Sequence, residues 1–400
     1  MLNDPAIPTT RADHWLFMAV TLLYWVSLYT YVPILTPYLE SIGSDYAFAG
    51  VVLGSYGFVQ LLIRLPLGVT SDRMRRRKPF IVLGLLTGTL SCLMFAVFAG
   101  LGWALAARAI SGICASTWVA FTVLYAAYFA QHQAAQAMSR VTFMSVAGQL
   151  IGMGISGYFA DQWGWNSTFW AGAAAGVLGL ALAVRIKEPK EGIAREPIRL
   201  SDVRHVMREP KLRKISVLSI LAHSVLFITM FGFTPLQAIS LGADAADLSL
   251  LVFAFMVPHG LASLITGQWF APRFGRRFTL LLGFLGSGLC TACIPLLTSL
   301  DALIVTQMFN GWFQGLHIPL LLAMSIEPFE TKLRATAMGF YQAIYSAGMF
   351  AGPFLAGWIN AAYGLSGGFY LAGVFALTAA VLSVSWGPRR KHDRSASASG

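Results

Sequence analysis

The chain has 400 residues and a net charge of +11; 56% of its residues are hydrophobic and only 11% are charged. A soluble globular protein is about a quarter charged, so this chain has too few polar side chains to cover a water-exposed surface. Apolar runs of about twenty residues recur along nearly its whole length, which is about what a helix needs to cross a bilayer core. The composition therefore excludes a soluble domain and predicts an all-α polytopic membrane protein, because lipid offers unpaired backbone groups no partner.

Twelve transmembrane helices are predicted, numbered helix 1 to helix 12. They cover residues 15–38, 47–71, 79–99, 102–128, 137–160, 167–186, 215–238, 248–270, 278–298, 302–325, 335–361 and 367–387. The predicted organisation is an N-terminal tail (1–14), a six-helix bundle (15–186), a linker (187–214), a second six-helix bundle (215–387) and a C-terminal tail (388–400). The linker is polar and interrupted by prolines, with an amphipathic helix predicted near 201–208.

The basic residues lie almost entirely at one set of helix ends. All 28 Lys and Arg residues except Arg64 and Arg108 fall there, whereas the opposite loops carry only acidic charges: Glu40, Asp45, Asp161, Asp244, Asp247 and Asp301. By the positive-inside rule, both termini are predicted to be cytoplasmic. The short loops are typical of a bacterial inner-membrane protein. The basic charge is thus explained without a nucleic-acid partner.

An internal repeat relates the two bundles. Glycines 148, 152 and 157 recur as glycines 348, 352 and 357, and Gly164 and Phe169 recur as Gly364 and Phe369, each 200 residues later. The basic clusters 73–77 and 273–277 share the same offset. A parallel repeat of six-helix halves is the arrangement in which transporters form substrate sites near the membrane midplane, between the halves. The repeat therefore predicts two pseudo-symmetric six-helix bundles and a transport function.

The loop after helix 2 carries a charged motif. Its sequence is Gly68-Val-Thr-Ser-Asp72-Arg73-Met-Arg75-Arg76-Arg77, which resembles the signature G-x-x-x-D-R-x-G-R-R of the major facilitator superfamily, with Arg75 in place of the second glycine. We expect Gly68 to allow close helix packing and Asp72 to pair with Arg73 or Arg76, so that the cluster locks one of two conformations. The alternative is that the basic residues only anchor the topology. The second copy keeps Arg273, Arg276 and Arg277 but has Pro272 in place of the acid, so the resemblance implies that the first copy is the main latch.

Two further stretches are similar to motifs of that family. Arg108-Ala-Ile-Ser-Gly112 in helix 4 resembles R-x-x-x-G, whose arginine the family links to proton coupling; Arg108 and Asp72 are therefore candidate coupling residues. The alternative for Arg108 is that it snorkels to the membrane surface. The glycine-rich stretch of helix 5 resembles the antiporter motif, with Met153 where that motif has proline.

Polar and aromatic side chains at helical spacing mark a candidate substrate cavity. They are Tyr24 and Tyr31 of helix 1, Tyr56, Gln60 and Arg64 of helix 2, His223 and His259 of helices 7 and 8, and Asn310, Gln314 and His317 of helix 10. Polar groups inside a membrane are costly and are functional candidates by default, although packing between helices explains many of them. The histidines lack the spacing of metal ligands, so no metal site is predicted.

The predicted function is secondary transport of a small organic solute by alternating access. No acidic residue lies in the middle of a predicted helix, so the cavity is expected to be neutral to positive and its substrate neutral or anionic and amphiphilic. The resemblance implies proton-coupled efflux; the open alternatives are an importer of an anionic nutrient or siderophore-like compound, and a facilitator without ion coupling. No enzyme or nucleotide-binding motif is found, so neither catalysis, a cofactor nor ATP is predicted. The expected partners are lipid, the solute and protons, with the chain acting as a monomer.

Overall fold

The structure is a computed structural model, which describes residues 9–130, 133–188 and 200–386. Helices 1 to 6 span Arg11–Tyr29 with its continuation Leu35–Ser41, then Tyr46–Met74, Lys78–Val97, Leu101–Ala126, Ala134–Trp163 and Trp165–Ala183. Helices 7 to 12 span Pro210–Ser240, Ala245–Phe274, Arg276–Leu296, Leu300–Ile326, Thr331–Tyr363 and Ser366–Trp386. A short helix, Leu200–Arg208, precedes helix 7.

The prediction of an all-α polytopic membrane protein is confirmed. Within the described ranges there is no strand, and nine helices are long and apolar enough to cross a membrane. Helix 7 begins at Pro210 rather than at residue 215, because the Glu209 side chain accepts a hydrogen bond from the Lys211 N–H at 3.2 Å and proline is favoured in a first helical turn. Residues 189–199 of the predicted linker, residues 1–8 of the N-terminal tail and residues 387–400 lie outside the described residues.

The two ends of the bundle differ in charge. We call the end with residues 73–78 and 273–277 the basic side, and the end with Asp45, Asp161, Asp244 and Asp301 the acidic side. On the acidic side, helix 1 is interrupted at residues 30–34, where Pro33 removes a backbone donor, and helix 7 contains a π-turn at Thr229–Phe233. The Thr36 hydroxyl donates to the Gly232 carbonyl at 2.7 Å, which joins these two irregular segments across the halves.

The repeated glycines pack helices in the same way in each half. A Cβ on Gly148 of helix 5 would lie within 3 Å of the Leu22 carbonyl on helix 1, and a Cβ on Gly348 of helix 11 within 3 Å of the Ile220 carbonyl on helix 7. Glycines 152 and 352, one turn further, meet the same partner helices. Small residues at this spacing let membrane helices approach closely, so the same helix–helix contact recurs in both halves, 200 residues apart.

The third glycine of each set closes the acidic side between the halves. Gly157 packs on helix 8, where its N–H donates to the Ser249 hydroxyl at 3.1 Å. Gly357 packs on helix 2, where a Cβ would lie 2.5 Å from the Tyr46 carbonyl oxygen and 2.8 Å from the Gly50 Cα. Helices 5 and 8, and helices 2 and 11, therefore seal the acidic side by direct backbone contact.

Adding a methyl group to this seal should destabilise the conformation. In Gly357→Ala the new Cβ meets backbone atoms that cannot move independently, so we expect a loss of about 1–3 kcal/mol, typical of overpacking. Gly339→Ala on the same helix is the matched control, because a Cβ there meets nothing within 4 Å. Thermal unfolding midpoints in detergent measure both variants. Equal midpoints for the two would contradict a seal made by backbone contact.

Candidate substrate-binding site

Arg108 lies inside the protein and does not reach the membrane surface. It is 2% exposed on helix 4, and its Nη1 donates to the Tyr31 hydroxyl at 3.3 Å. Its guanidinium carbon lies 4.3 Å from the centre of the Tyr56 ring and 5.7 Å from that of Tyr31. The Nε atom is buried and has no hydrogen-bond partner among the described residues. The structure thus places this charge toward the protein interior, held by aromatic rings and one hydroxyl.

A small gap next to Arg108 is lined by both halves of the protein. Its lining residues are Leu28, Tyr29 and Val32 of helix 1, Tyr56 of helix 2, Arg108 of helix 4, and Phe227 and Phe231 of helix 7. Tyr56 stacks on Phe227 at 5.9 Å with an interplanar angle of 18°, and Tyr29 contacts Phe231 edge-on at 5.8 Å. The gap is therefore a cationic, aromatic-walled space at the junction of the two halves.

Tyr29, Phe227 and Phe231 were not among the sequence candidates. A signal for Phe231 was present, because the 200-residue offset relates it to Tyr31, which was selected. The repeat therefore indicates Phe231 as the counterpart of Tyr31 in the second half. Tyr29 lies on the face of helix 1 next to the face that carries Tyr24 and Tyr31.

Arg64 and Gln60 of helix 2 form a polar bridge between the halves. One terminal nitrogen of Arg64 donates to Gln60 Oε1 at 2.5 Å and to the Ala115 carbonyl at 3.2 Å, both in the N-terminal half. The other terminal nitrogen donates to the Tyr345 hydroxyl at 3.3 Å and the Gln342 carbonyl at 3.5 Å on helix 11. Arg64 is 6% exposed, so this bridge lies within the packed interior.

His223 of helix 7 joins the same region. Its ring stacks on Tyr345 with a centroid distance of 4.0 Å and an interplanar angle of 3°. Its Nδ1 lies 2.8 Å from the Ser219 carbonyl, and the Ser219 hydroxyl is 2.7 Å from that of Tyr341. Tyr345 and Tyr341 were not predicted, and they extend the Arg64 bridge into helix 7.

The remaining cavity candidates lie away from the gap. The Tyr24 hydroxyl donates to the Cys114 carbonyl at 2.5 Å and is held between helices 1 and 4. The helix 10 stripe faces helix 9: Asn310 accepts from Ser287 at 3.0 Å and from Gln314 at 3.1 Å, and His317 stacks on Phe284 at 4.2 Å. His259 stacks on Phe255 within its own half, with a centroid distance of 5.7 Å. Packing inside each half accounts for these contacts.

The charged motif after helix 2 is organised around Arg77. Asp72 accepts from Arg77 in a buried ion pair, whereas Arg73 and Arg76 are exposed. Arg77 also donates to the Ser71 hydroxyl, and its backbone N–H donates to Glu188 at the end of helix 6. The expected close packing at Gly68 is absent in this conformation, because a Cβ there meets nothing within 4 Å. The described pair of Asp72 thus stays within the N-terminal half.

The second copy of the motif uses a different acid. Arg276 donates to both carboxylate oxygens of Glu327, at 2.8 and 2.7 Å, and Lys211 pairs with the same carboxylate at 3.0 Å. The hydrogen bond from Arg276, followed by that from Lys211, lowers the pKa of the Glu327 carboxyl below its ordinary value. Glu327 at the end of helix 10 therefore supplies the negative charge that Pro272 cannot.

Arg75 occupies a backbone conformation that suits glycine. Its φ is +52°, and the repeat-related Gly275 has a φ of +88°. The left-handed region costs a residue with a Cβ about 1–2 kcal/mol. This conformation explains why the motif that Arg75 interrupts carries glycine at this position.

We expect Arg75→Gly to raise the thermal unfolding midpoint, because it removes the left-handed penalty and loses only part of that gain to the flexibility of the unfolded chain. The net gain should be about 0.5–1 kcal/mol. Arg73→Gly is the matched control, since residue 73 lies in the last turn of helix 2, where glycine is unfavourable. The two midpoints should move in opposite directions; a shift of both in the same direction would show that φ at residue 75 is not the cause.

Comparison with protein families decides the assignment. The family model described as Major Facilitator Superfamily matches residues 17–239 and 215–400. The chain belongs to the major facilitator superfamily. The resemblance seen in the charged motifs is therefore confirmed, and with it the fold of two six-helix bundles. Members of the superfamily are transporters, and so is this chain.

The similar proteins include transporters of several kinds. The inner membrane transport protein YajR of Escherichia coli (strain K12) is 25% identical over 401 residues, covering 96% of this chain and 84% of that protein. Multidrug resistance protein 2 of Bacillus subtilis (strain 168) is 31% identical over 141 residues, 35% of each chain.

Among solved structures, a bacterial homologue of the human lysosomal transporter Spinster, in an inward-facing and unoccupied conformation, matches with a TM-score of 0.79. It is 15% identical over 95% of this chain and 98% of that one. The nucleoside transporter NupG matches with a TM-score of 0.74 and 14% identity over 94% of this chain and 98% of that one. At these identities the two structures establish the fold alone.

Proposed function

We propose that this major facilitator exports an anionic or neutral aromatic compound across a bacterial inner membrane, using the proton gradient. The observation that supports the substrate class is the buried Arg108 guanidinium, whose Nε lacks a partner and which borders an aromatic-walled gap. A charged side chain at the centre of a membrane helix costs about 2.5–3.5 kcal/mol. An anionic group that accepts a hydrogen bond from the Arg108 Nε–H would offset part of that cost.

The aromatic lining supports a ring-bearing substrate. Tyr56 and Phe227 come from opposite halves, so a planar ring bound beside them would contact both halves at once. A ligand that contacts both halves binds the conformation closed around it more tightly than the open one, and so shifts the equilibrium toward closure. A permanent cation is disfavoured, because the guanidinium repels it in a site of low dielectric constant.

The direction of transport is proposed from orientation and relatives. With the basic residues in the cytoplasm, the sealed acidic side faces outward, so this conformation is closed to solute on the outer side. Similarity to proteins named for multidrug resistance supports export. In this scheme the Asp72–Arg77 cluster is the cytoplasmic latch, and residues 9–14 and the short helix Leu200–Arg208 lie in the cytoplasm.

Transport of a permanently charged probe tests the proposal. Inside-out proteoliposomes containing the full chain should accumulate a fluorescent naphthalenesulfonate when their lumen is acidified, and should not accumulate a naphthylmethyl-trimethylammonium cation. A sulfonate stays ionised, so the pH gradient cannot move it by simple partition. Arg108→Gln should lower the initial rate about tenfold or more, the value of one charge-assisted hydrogen bond.

Arg185→Gln is the matched control, because it removes one exposed positive charge from the basic side. It should transport the sulfonate at the rate of the unmodified chain. Preferential transport of the cation would contradict the proposed substrate class. Movement that ignores the pH gradient would favour a facilitator, and movement in the opposite direction would favour an importer.

A further inference from the structure

One aromatic ring connects a titratable group to the contact between the two halves. Tyr345 of helix 11 accepts a hydrogen bond from Arg64 of helix 2 at 3.3 Å, and the Arg64 guanidinium carbon lies 5.8 Å from the centre of its ring. The same ring stacks on His223 of helix 7 at 4.0 Å. His223 and Arg64 therefore contact one side chain from opposite halves of the protein.

We propose that His223 is the proton-binding residue and that its protonation releases the Arg64 bridge between the halves. The inference rests on the proton coupling proposed above and names the group that performs it. The neutral form of His223 is defined by its contacts, since Nδ1 lies 2.8 Å from the Ser219 carbonyl and must carry the hydrogen there. Nε2 is then the basic nitrogen that takes up a proton.

The groups around His223 make a second positive charge unfavourable. The titratable and charged side chains that face it from the packed helices are Tyr341 and Tyr345 of helix 11, Arg64 of helix 2 and His317 of helix 10. All of these are neutral or cationic. A proton on His223 is consequently opposed by the nearby guanidinium, with little solvent to screen the repulsion.

The bonds of Arg64 determine where that repulsion acts. The bonds within its own half, 2.5 Å to Gln60 and 3.2 Å to Ala115, are shorter than the bonds across the halves, 3.3 Å to Tyr345 and 3.5 Å to Gln342. His223 stacks on Tyr345, so the repulsion acts on the side of Arg64 that faces helix 11. Protonation of His223 therefore weakens the cross-half bonds first and leaves Arg64 attached to helix 2, so helices 2 and 11 can separate.

The other buried histidines lack this connection. His259 stacks on Phe255 and His317 on Phe284, each within the C-terminal half. Among the described residues, His223 is the histidine whose stacking partner also binds an arginine of the other half. His259 is thus a matched control, being a second histidine inside the same half.

The test measures conformation without any substrate. Spin labels at Met74→Cys and Phe274→Cys, two exposed basic-side positions 200 residues apart, report the separation of the halves in proteoliposomes between pH 3.5 and pH 8, a range that extends low enough to protonate a buried histidine beside a guanidinium. The background carries Ser at the four native cysteines. We expect the ratio of short to long distances to change at least fivefold across this pH range, to change less than twofold in His223→Gln, and to follow the parent in His259→Gln.

A full pH response in His223→Gln would overturn the proposal. If that variant does not fold, Tyr345→Phe decides the question, because it keeps the ring and removes only the hydroxyl that accepts from Arg64. In Tyr345→Phe, the pH-dependent change in the distance ratio should fall by half or more. An unchanged ratio would refute the proposal that the Arg64–Tyr345 hydrogen bond carries the response. Because no solute is present, this result is independent of the transport assay: a failure here leaves the aromatic-anion site standing, and a failure there leaves the histidine switch standing.

Discussion

The structure depends on the positive charge of Arg108, which is buried and has no acidic partner in the part of the chain that the structure describes. Arg108 is held by two tyrosine rings and one hydroxyl, and contact with an aromatic face contributes about 2 kcal/mol when both groups are desolvated. That is comparable to the cost of placing an arginine inside a membrane helix, so the site is tolerated but keeps an unsatisfied donor. The surrounding aromatic residues come from both halves, which places the unsatisfied donor at the junction between them.

The repeat explains why that junction can move. In each half, two glycines hold helix 5 or helix 11 against the first helix of the same half, and a third glycine contacts a helix of the other half. Each bundle is thus internally tight. The described contacts between the bundles include backbone against backbone on the acidic side, the Thr36–Gly232 hydrogen bond, the Tyr56–Phe227 stack and the Arg64 bridge in the interior. Internally rigid halves are the requirement for a rocking motion.

The two halves are less alike in charge than in shape. The first pairs Asp72 with Arg77 at the end of helix 2, whereas the second has lost that acid and pairs Arg276 with Glu327 at the end of helix 10. The backbone retains the shared geometry, with positive φ at both Arg75 and Gly275. Helix packing fixes the backbone geometry in both halves, whereas the acid that pairs with the arginine comes from a different helix in each half.

Much of this architecture was predictable, and the failures have a common physical cause. The glycine register and the inward position of Arg108 follow from spacing and from the cost of exposing charge to lipid. The polar stripe of helix 10 was correctly placed on one face, but a periodic pattern does not say which neighbouring helix that face meets; Asn310 of the stripe contacts Ser287 of helix 9. Likewise, Asp72 was predicted to pair with Arg73 or Arg76, and the αL turn at Arg75 brings Arg77 within reach of its carboxylate.

Calorimetric titration of the purified full chain with naphthalenesulfonate and with its neutral isostere naphthalenesulfonamide tests the central claim most directly. The two ligands share ring and shape and differ in charge, so their affinities isolate the contribution of the buried guanidinium. The account predicts that the sulfonate binds at least tenfold more tightly, equivalent to about 1.4 kcal/mol. Equal affinities, or tighter binding of the sulfonamide, would show that the buried arginine does not recognise an anion and would contradict the account.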